Sequence, residues 1–112
     1  MSNVTLSVLK EFTDAPGARN YTDGDCSGEE FYEKLLAPKF VEALETNRLL
    51  EIDMDGTYGY ATSFISQAFG SLSKEHGPAL CLNTIKIKSE EDAELEKYIY
   101  ETIKDPDKQW PK

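Results

Sequence analysis

At 112 residues, 39% of them hydrophobic and 29% charged, the chain has apolar material for one folded domain over 1–112 and too little for two. Its 12 basic and 21 acidic side chains leave a formal charge of −9. Such a surface repels phosphate backbones and anionic lipid, so no nucleic acid and no membrane is an expected partner, whereas a basic or neutral protein is.

Val4, Leu6 and Val8 alternate with polar neighbours and predict a first strand with one buried face. The stretch 14–25, rich in Gly, Pro, Asp and Asn, reads as a structured loop. Ser27-Gly28-Glu29-Glu30 has the form of a capping box and starts a helix with Phe31, Leu35, Phe40, Val41 and Leu44 on its apolar stripe. Pro38 removes a hydrogen bond within that span, so a kink or a split is expected. Residues 49–54 predict an inner strand, and Gly56 and Gly59 loosen the loop after it. A second helix fits from Thr62, with Phe64, Ile65, Ala68, Phe69 and Leu72 on one face; Gly70 weakens it and Gly77-Pro78 ends it. Residues 79–87 read as a further strand with Cys81 buried in it, and a third helix opens at Ser89 with Leu95, Tyr98, Ile99 and Ile103 facing inward. Asp105-Pro106 stops that helix, and 106–112 is expected to be a loose tail. The order β-α-β-α-β-α predicts an α/β fold, a mixed or largely parallel sheet with helices packed on it.

The chain opens with no charged segment followed by an apolar one, and no apolar run approaches the roughly 20 residues of a membrane span. A soluble, cytoplasmic protein is expected, with Cys26 and Cys81 as reduced thiols. Ile52-Asp53-Met54-Asp55-Gly56-Thr57 resembles the first motif of haloacid-dehalogenase phosphatases, whose first Asp attacks phosphate while the second acts as acid and base beside Mg²⁺. The chain after Thr57 is about half the length such a fold needs, and no acidic pair follows on a later strand. A small magnesium-dependent hydrolase using Asp53 and Asp55 is therefore the alternative reading, and a turn at the end of a strand the preferred one. A calcium loop fails because its twelfth position is Phe64, where a bidentate Glu is required. His76, the only histidine, is expected to face solvent near a helix end. Gly-rich phosphate loops are absent; no cofactor and no metal is assigned. Thr62 or Ser63 suits a helix N-cap, and a phosphate added there would meet free amides and the helix dipole. Tyr58 and Tyr60 are expected to be exposed beside it, as interface tyrosines are.

The run 49–70, together with Ser27-Gly28-Glu29-Glu30-Phe31 and Gly17-Ala18-Arg19-Asn20-Tyr21, resembles a STAS-like family of bacterial proteins of unknown function (DUF4325), related to anti-sigma factor antagonists. That resemblance implies a STAS-like sandwich and a non-enzymatic regulatory domain that binds a GHKL-type ATPase, a kinase or an anti-sigma-like partner. It implies Ser63, with Thr62 beside it, as the phosphorylated position at the start of the helix after a central strand. STAS domains typically carry Asp-Ser-Ser-Gly where this chain has Ala61-Thr62-Ser63-Phe64. The expected partner surface lies within 56–73 and the turn before it, and comprises Asp55, Gly56, Tyr58, Tyr60, Ser63, Ser66 and Gln67; a plain adaptor without a switch is the further alternative.

Overall fold

Strict alternation of side chains decides the architecture of the computed structural model, which describes residues 3–24 and 26–106. Strands β1 (Val4–Ser7), β2 (Leu50–Asp53) and β3 (Ile85–Lys88) form one sheet in the order β1-β2-β3, both pairings parallel. In register, Val4, Leu50 and Ile85 form one buried row and Leu6, Ile52 and Ile87 the next. The intervening rows, Thr5 with Glu51 and Lys86 and Ser7 with Asp53 and Lys88, lie on the opposite face and are exposed or half-buried. Crossovers between parallel strands are right-handed as a rule, so two taken in one direction put their helices on the same side of the sheet, and the one-sided burial agrees. The sheet is thus parallel throughout rather than mixed.

The helical layer begins sooner than the alternation suggests. Ser7 ends β1 and caps a single turn, α1 (Val8–Glu11): its hydroxyl accepts from the Lys10 amide, and Glu11 accepts from the Ser7 amide at 2.7 Å. Val8 is buried as expected, but from a helix and not a strand. A 3₁₀ turn (Tyr21–Asp23) follows, then α2 (Gly28–Phe31), a π-helical turn (Tyr32–Leu36) and α3 (Ala37–Glu45) in unbroken succession. Half of the expected capping box forms: the Ser27 hydroxyl accepts from Glu30 N–H at 3.1 Å, while the Glu30 carboxylate pairs with Lys34 instead of reaching back. Pro38 neither breaks nor splits the span. Lacking an N–H, it leaves one carbonyl of the preceding turn without its donor, and the wider π turn just before it takes up the defect, with Ala37 N–H bonding the Tyr32 carbonyl.

After β2 the chain forms α4 (Thr62–His76) and α5 (Pro78–Thr84), and only then β3, which is followed by α6 (Ala93–Lys104). The strand expected over 79–87 is therefore mostly helix. Gly77, at φ +91°, ends α4, and Pro78 pre-sets the first turn of α5; Cys81 and Thr84 then point inward three residues apart while Leu80 stays exposed. The third helix starts at Ala93, with Asp92 and not Ser89 at its head: the Asp92 side chain accepts from Leu95 N–H. Gly70 does not interrupt α4, and it is buried with Pro106 beside it. The expected tail beyond Pro106 lies outside the described residues.

One contiguous apolar core joins the sheet to the helices, with Phe31, Phe40, Phe64 and Phe69 fully buried in it. Phe12, Phe31 and Phe64 stack at centroid separations of 5.4 to 6.2 Å. Helices α2 and α4 approach closely at Gly28, where a Cβ would lie 2.5 Å from the Phe64 carbonyl oxygen. Backbone cannot give way as a side-chain tip can, so Gly28→Ala should lower the unfolding free energy by about 1–3 kcal/mol. Gly17→Ala, with only the Ala15 carbonyl at 4.0 Å, should change it by less than about 0.5 kcal/mol in the same urea titration.

Cys81 is fully buried in α5 with its thiol directed at the Leu72 carbonyl, and burial pushes that thiol up to about 11. Thiolate is the reactive form, so at pH 8 the folded protein should be alkylated at half-exposed Cys26 and not at Cys81. Peptide mapping after iodoacetamide treatment reads this directly, and Cys81 should label only after unfolding.

Candidate functional site at the carboxyl edge of the sheet

Parallel strands point their carboxyl ends at one edge, where ligands of open α/β sheets bind. Here β2 and β3 deliver two loops to that edge, 54–61 and 89–92, and carboxylates tie the two together. Asp55 accepts Glu91 N–H on Oδ1 at 3.0 Å and Glu90 N–H on Oδ2 at 3.1 Å. Glu91 reciprocates, its Oε1 accepting Gly56 N–H at 2.6 Å. Gly56 itself sits at φ +93°, and a Cβ there would lie 2.5 Å from Leu9 Cδ2. Asp53 accepts Asp55 N–H at 3.0 Å, and its other oxygen lies 3.6 Å from Lys88 Nζ on the open face of the sheet. The Asp53 charge holds the Lys88 ammonium above its ordinary pKa.

Four carboxylate oxygens of the Asp53-Met54-Asp55 run are thereby in use, three of them on backbone amides. Among the described residues no group of three or more His, Cys, Asp or Glu side chains converges where it could hold a metal ion. His76 is far from this edge in the chain and is not solvent-facing as expected: its ring lies 4.7 Å from Phe40, and Nε2 is 3.3 Å from a Glu75 carboxylate oxygen.

A third loop joins the first two. The carbonyls of Asp14 and Pro16 accept the amides of Tyr58 and Ala61, at 2.8 and 3.2 Å, so the 14–24 segment flanks the entry to α4. The N-cap of α4 is Ala61, and neither Thr62 nor Ser63 fills that role; no side chain caps the helix. Thr62 is exposed and Ser63 half-buried in the first turn. The Tyr98 hydroxyl of α6 donates to the Thr62 carbonyl at 3.2 Å, and Arg19 is close enough for its charge to act on that hydroxyl.

The expected surface residues separate into two kinds. Tyr58 projects with 89% of its surface exposed. Tyr60, expected to be exposed, packs instead at 5.9 Å from Phe64 and donates to the Met54 carbonyl at 2.9 Å; burial pushes its hydroxyl up to about 12. Asp55 and Gly56 line the edge, their polar groups committed to the clamp. Ser66 and Gln67 are half-buried farther along α4, with the Gln67 Cβ beside Gly28 and its amide 3.4 Å from Ser71 Oγ. The expectation did not include Glu91, Asp92 and Leu95, which face this edge from the loop after β3 and the start of α6. Their only sequence signal was the acidic run 90–92, readable as a favourable charge at a helix start.

A three-stranded parallel sheet with its helices on one side and its loops gathered at one edge defines a small α/β domain consistent with a STAS-like fold. Residues 27–94 match the family described as a STAS-like domain of unknown function (DUF4325), and the chain belongs to that family. No curated protein and no solved structure matches it. Among the described residues no helix is long and apolar enough to cross a membrane.

The clamp makes its own prediction. Asp55→Ala strands two charge-assisted acceptors' worth of backbone amides and should cost about 2–3 kcal/mol in urea unfolding. Asp53→Ala, which loses one turn bond and a largely solvated pair with Lys88, should cost about 1 kcal/mol or less.

Proposed function

We propose that this chain is a non-enzymatic regulatory domain that binds a GHKL-type ATPase or kinase through the loop after β2 and the start of α4, with Ser63 as the switch and Thr62 as the second candidate. The observation that carries the reading is the position of Ser63 in a chain of the STAS-like family: the first turn of the helix that follows the central strand. Family membership and the chemistry of the helix start both support the reading. With Ala61 at the N-cap, no side chain competes for the first-turn amides, which carry the positive end of the α4 dipole. Arg19 is close enough for its charge to act on the Tyr98 hydroxyl, which bonds the Thr62 carbonyl of the same turn.

In the proposed exchange, Ser63 Oγ attacks the γ-phosphorus of ATP held by the partner, the bond to ADP breaks, and the hydroxyl proton passes to a base of the partner. The product adds about two negative charges to a surface that otherwise buries against the partner, and the cost of desolvating them weakens the complex. Exposed Tyr58 suits an interface core, where tyrosines are enriched.

Binding to the GHKL-type ATPase of the same host, measured by calorimetry, tests the reading. Ser63→Asp should weaken the complex by about tenfold or more, and Ser63→Ala should bind as the parent does. Equal binding by all three would remove the switch, and no binding by any would remove the partner class.

A further inference from the structure

Between the loops that the clamp holds together lies a cleft of about 150 Å³. This is well below the roughly 300–1,000 Å³ of small-molecule and cofactor sites, and it suits a single side chain. Its lining joins buried Met54 and Ser89 to half-buried Tyr60, Leu95 and Asp55, with Glu91, Asp92 and the ring of Tyr58 exposed around them. Each acidic side chain spends acceptor capacity on the backbone: both Asp55 oxygens, Glu91 Oε1 on Gly56 and Asp92 Oδ1 on Leu95. The second oxygens of Glu91 and Asp92 carry no hydrogen bond among the described residues, and both side chains belong to exposed residues. Apolar side chains beside two carboxylates and an aromatic face suit an arginine: a three-carbon stem, a planar cation with several N–H donors, and a surface that stacks on a ring.

We infer that this cleft receives an arginine side chain of the partner protein, a reading that rests on the regulatory binding proposed above and names the chemistry of its contact. The stem lies over Met54 and Leu95, the guanidinium donates to Glu91 and Asp92, and Tyr58 closes over the cation. The charge of −9 on the whole chain favours the approach of such a basic segment. Tyr58, Tyr60, Asp55 and Gly56 then act together, as the walls and frame of one pocket.

The peptide Ac-Gly-Arg-Gly-NH₂ is the probe, and its neutral isostere with citrulline in place of arginine is the control. In ¹⁵N-edited spectra the arginine peptide should give saturable shifts at the amides of Gly56, Gly59, Glu91 and Leu95, with the citrulline peptide at least about tenfold weaker. Glu91→Gln and Asp92→Asn together keep an acceptor for Gly56 N–H and for Leu95 N–H while removing both charges. That double variant keeps both bonds in their weaker neutral form, so it should remain folded within about 1–2 kcal/mol of the parent in urea and lose about tenfold in peptide affinity. Equal shifts with the two peptides, undiminished binding by the folded double variant, or shifts centred elsewhere would each overturn the inference. The titration involves neither the ATPase nor Ser63. A protein that binds the ATPase but not the arginine peptide therefore contradicts this inference alone. One that binds the peptide but no ATPase contradicts only the partner class proposed above.

Discussion

Asp55 holds the carboxyl edge of the sheet together. Its carboxylate gathers the Glu90 and Glu91 amides of the loop after β3, and Glu91 returns the bond to Gly56. Two loops that leave adjacent parallel strands would otherwise be free to splay, since the strand ladder ends at Asp53 and Lys88. Clamped, they fix where α4 and α6 begin, and the Tyr98 hydroxyl completes the tie by bonding the Thr62 carbonyl across the two helices. The exposed Tyr58, the first turn carrying Ser63 and the acidic cleft all take their places from that one set of carboxylate–amide bonds.

Among the described residues the sheet is parallel yet covered on one side only, whereas purely parallel sheets are generally buried on both faces. The sequence accommodates this by keeping the open face polar. Register sets Glu51 beside Lys86 and Asp53 beside Lys88, opposite charges across neighbouring strands, with Thr5 and Ser7 on the third. Both edges are blunted as well. Glu11 takes the outward amide of Ser7 on β1, and the Tyr100 hydroxyl takes the outward amide of Ile87 on β3 at 3.1 Å. At the carboxyl edge Tyr58 stands exposed among polar loops.

The strand over 50–53 and the helix over 62–76 were legible because each carries a sustained apolar period that burial then obeys. Residues 79–87 misled for the opposite reason. Leu80, Cys81 and Leu82 fit alternation over a short run, and the decisive local signal was Pro78 beginning a helix after Gly77, which reads equally as a stop. The aspartates of 53–55 were visible, and a turn was the right local reading, but what the turn is for was not. Asp55 and its amide partners lie 35 and 36 residues apart, and a carboxylate that binds backbone amides leaves no partner residue type to search for. The same holds for Tyr60: its ring packs inward because Phe64 and the Met54 carbonyl are there, a tertiary fact with no periodic signature.

The central claim is that the start of α4 is a regulated binding surface, and the mass of Ser63 in the protein's own host tests it most directly. Protein isolated from growing and from starved cells should include a fraction heavier by one phosphoryl group. That group should map to Ser63 and be removed by phosphatase, and the modified fraction should fail to co-elute with the ATPase. A chain unmodified under every condition, or modified on Ser63 and still bound, would contradict the account.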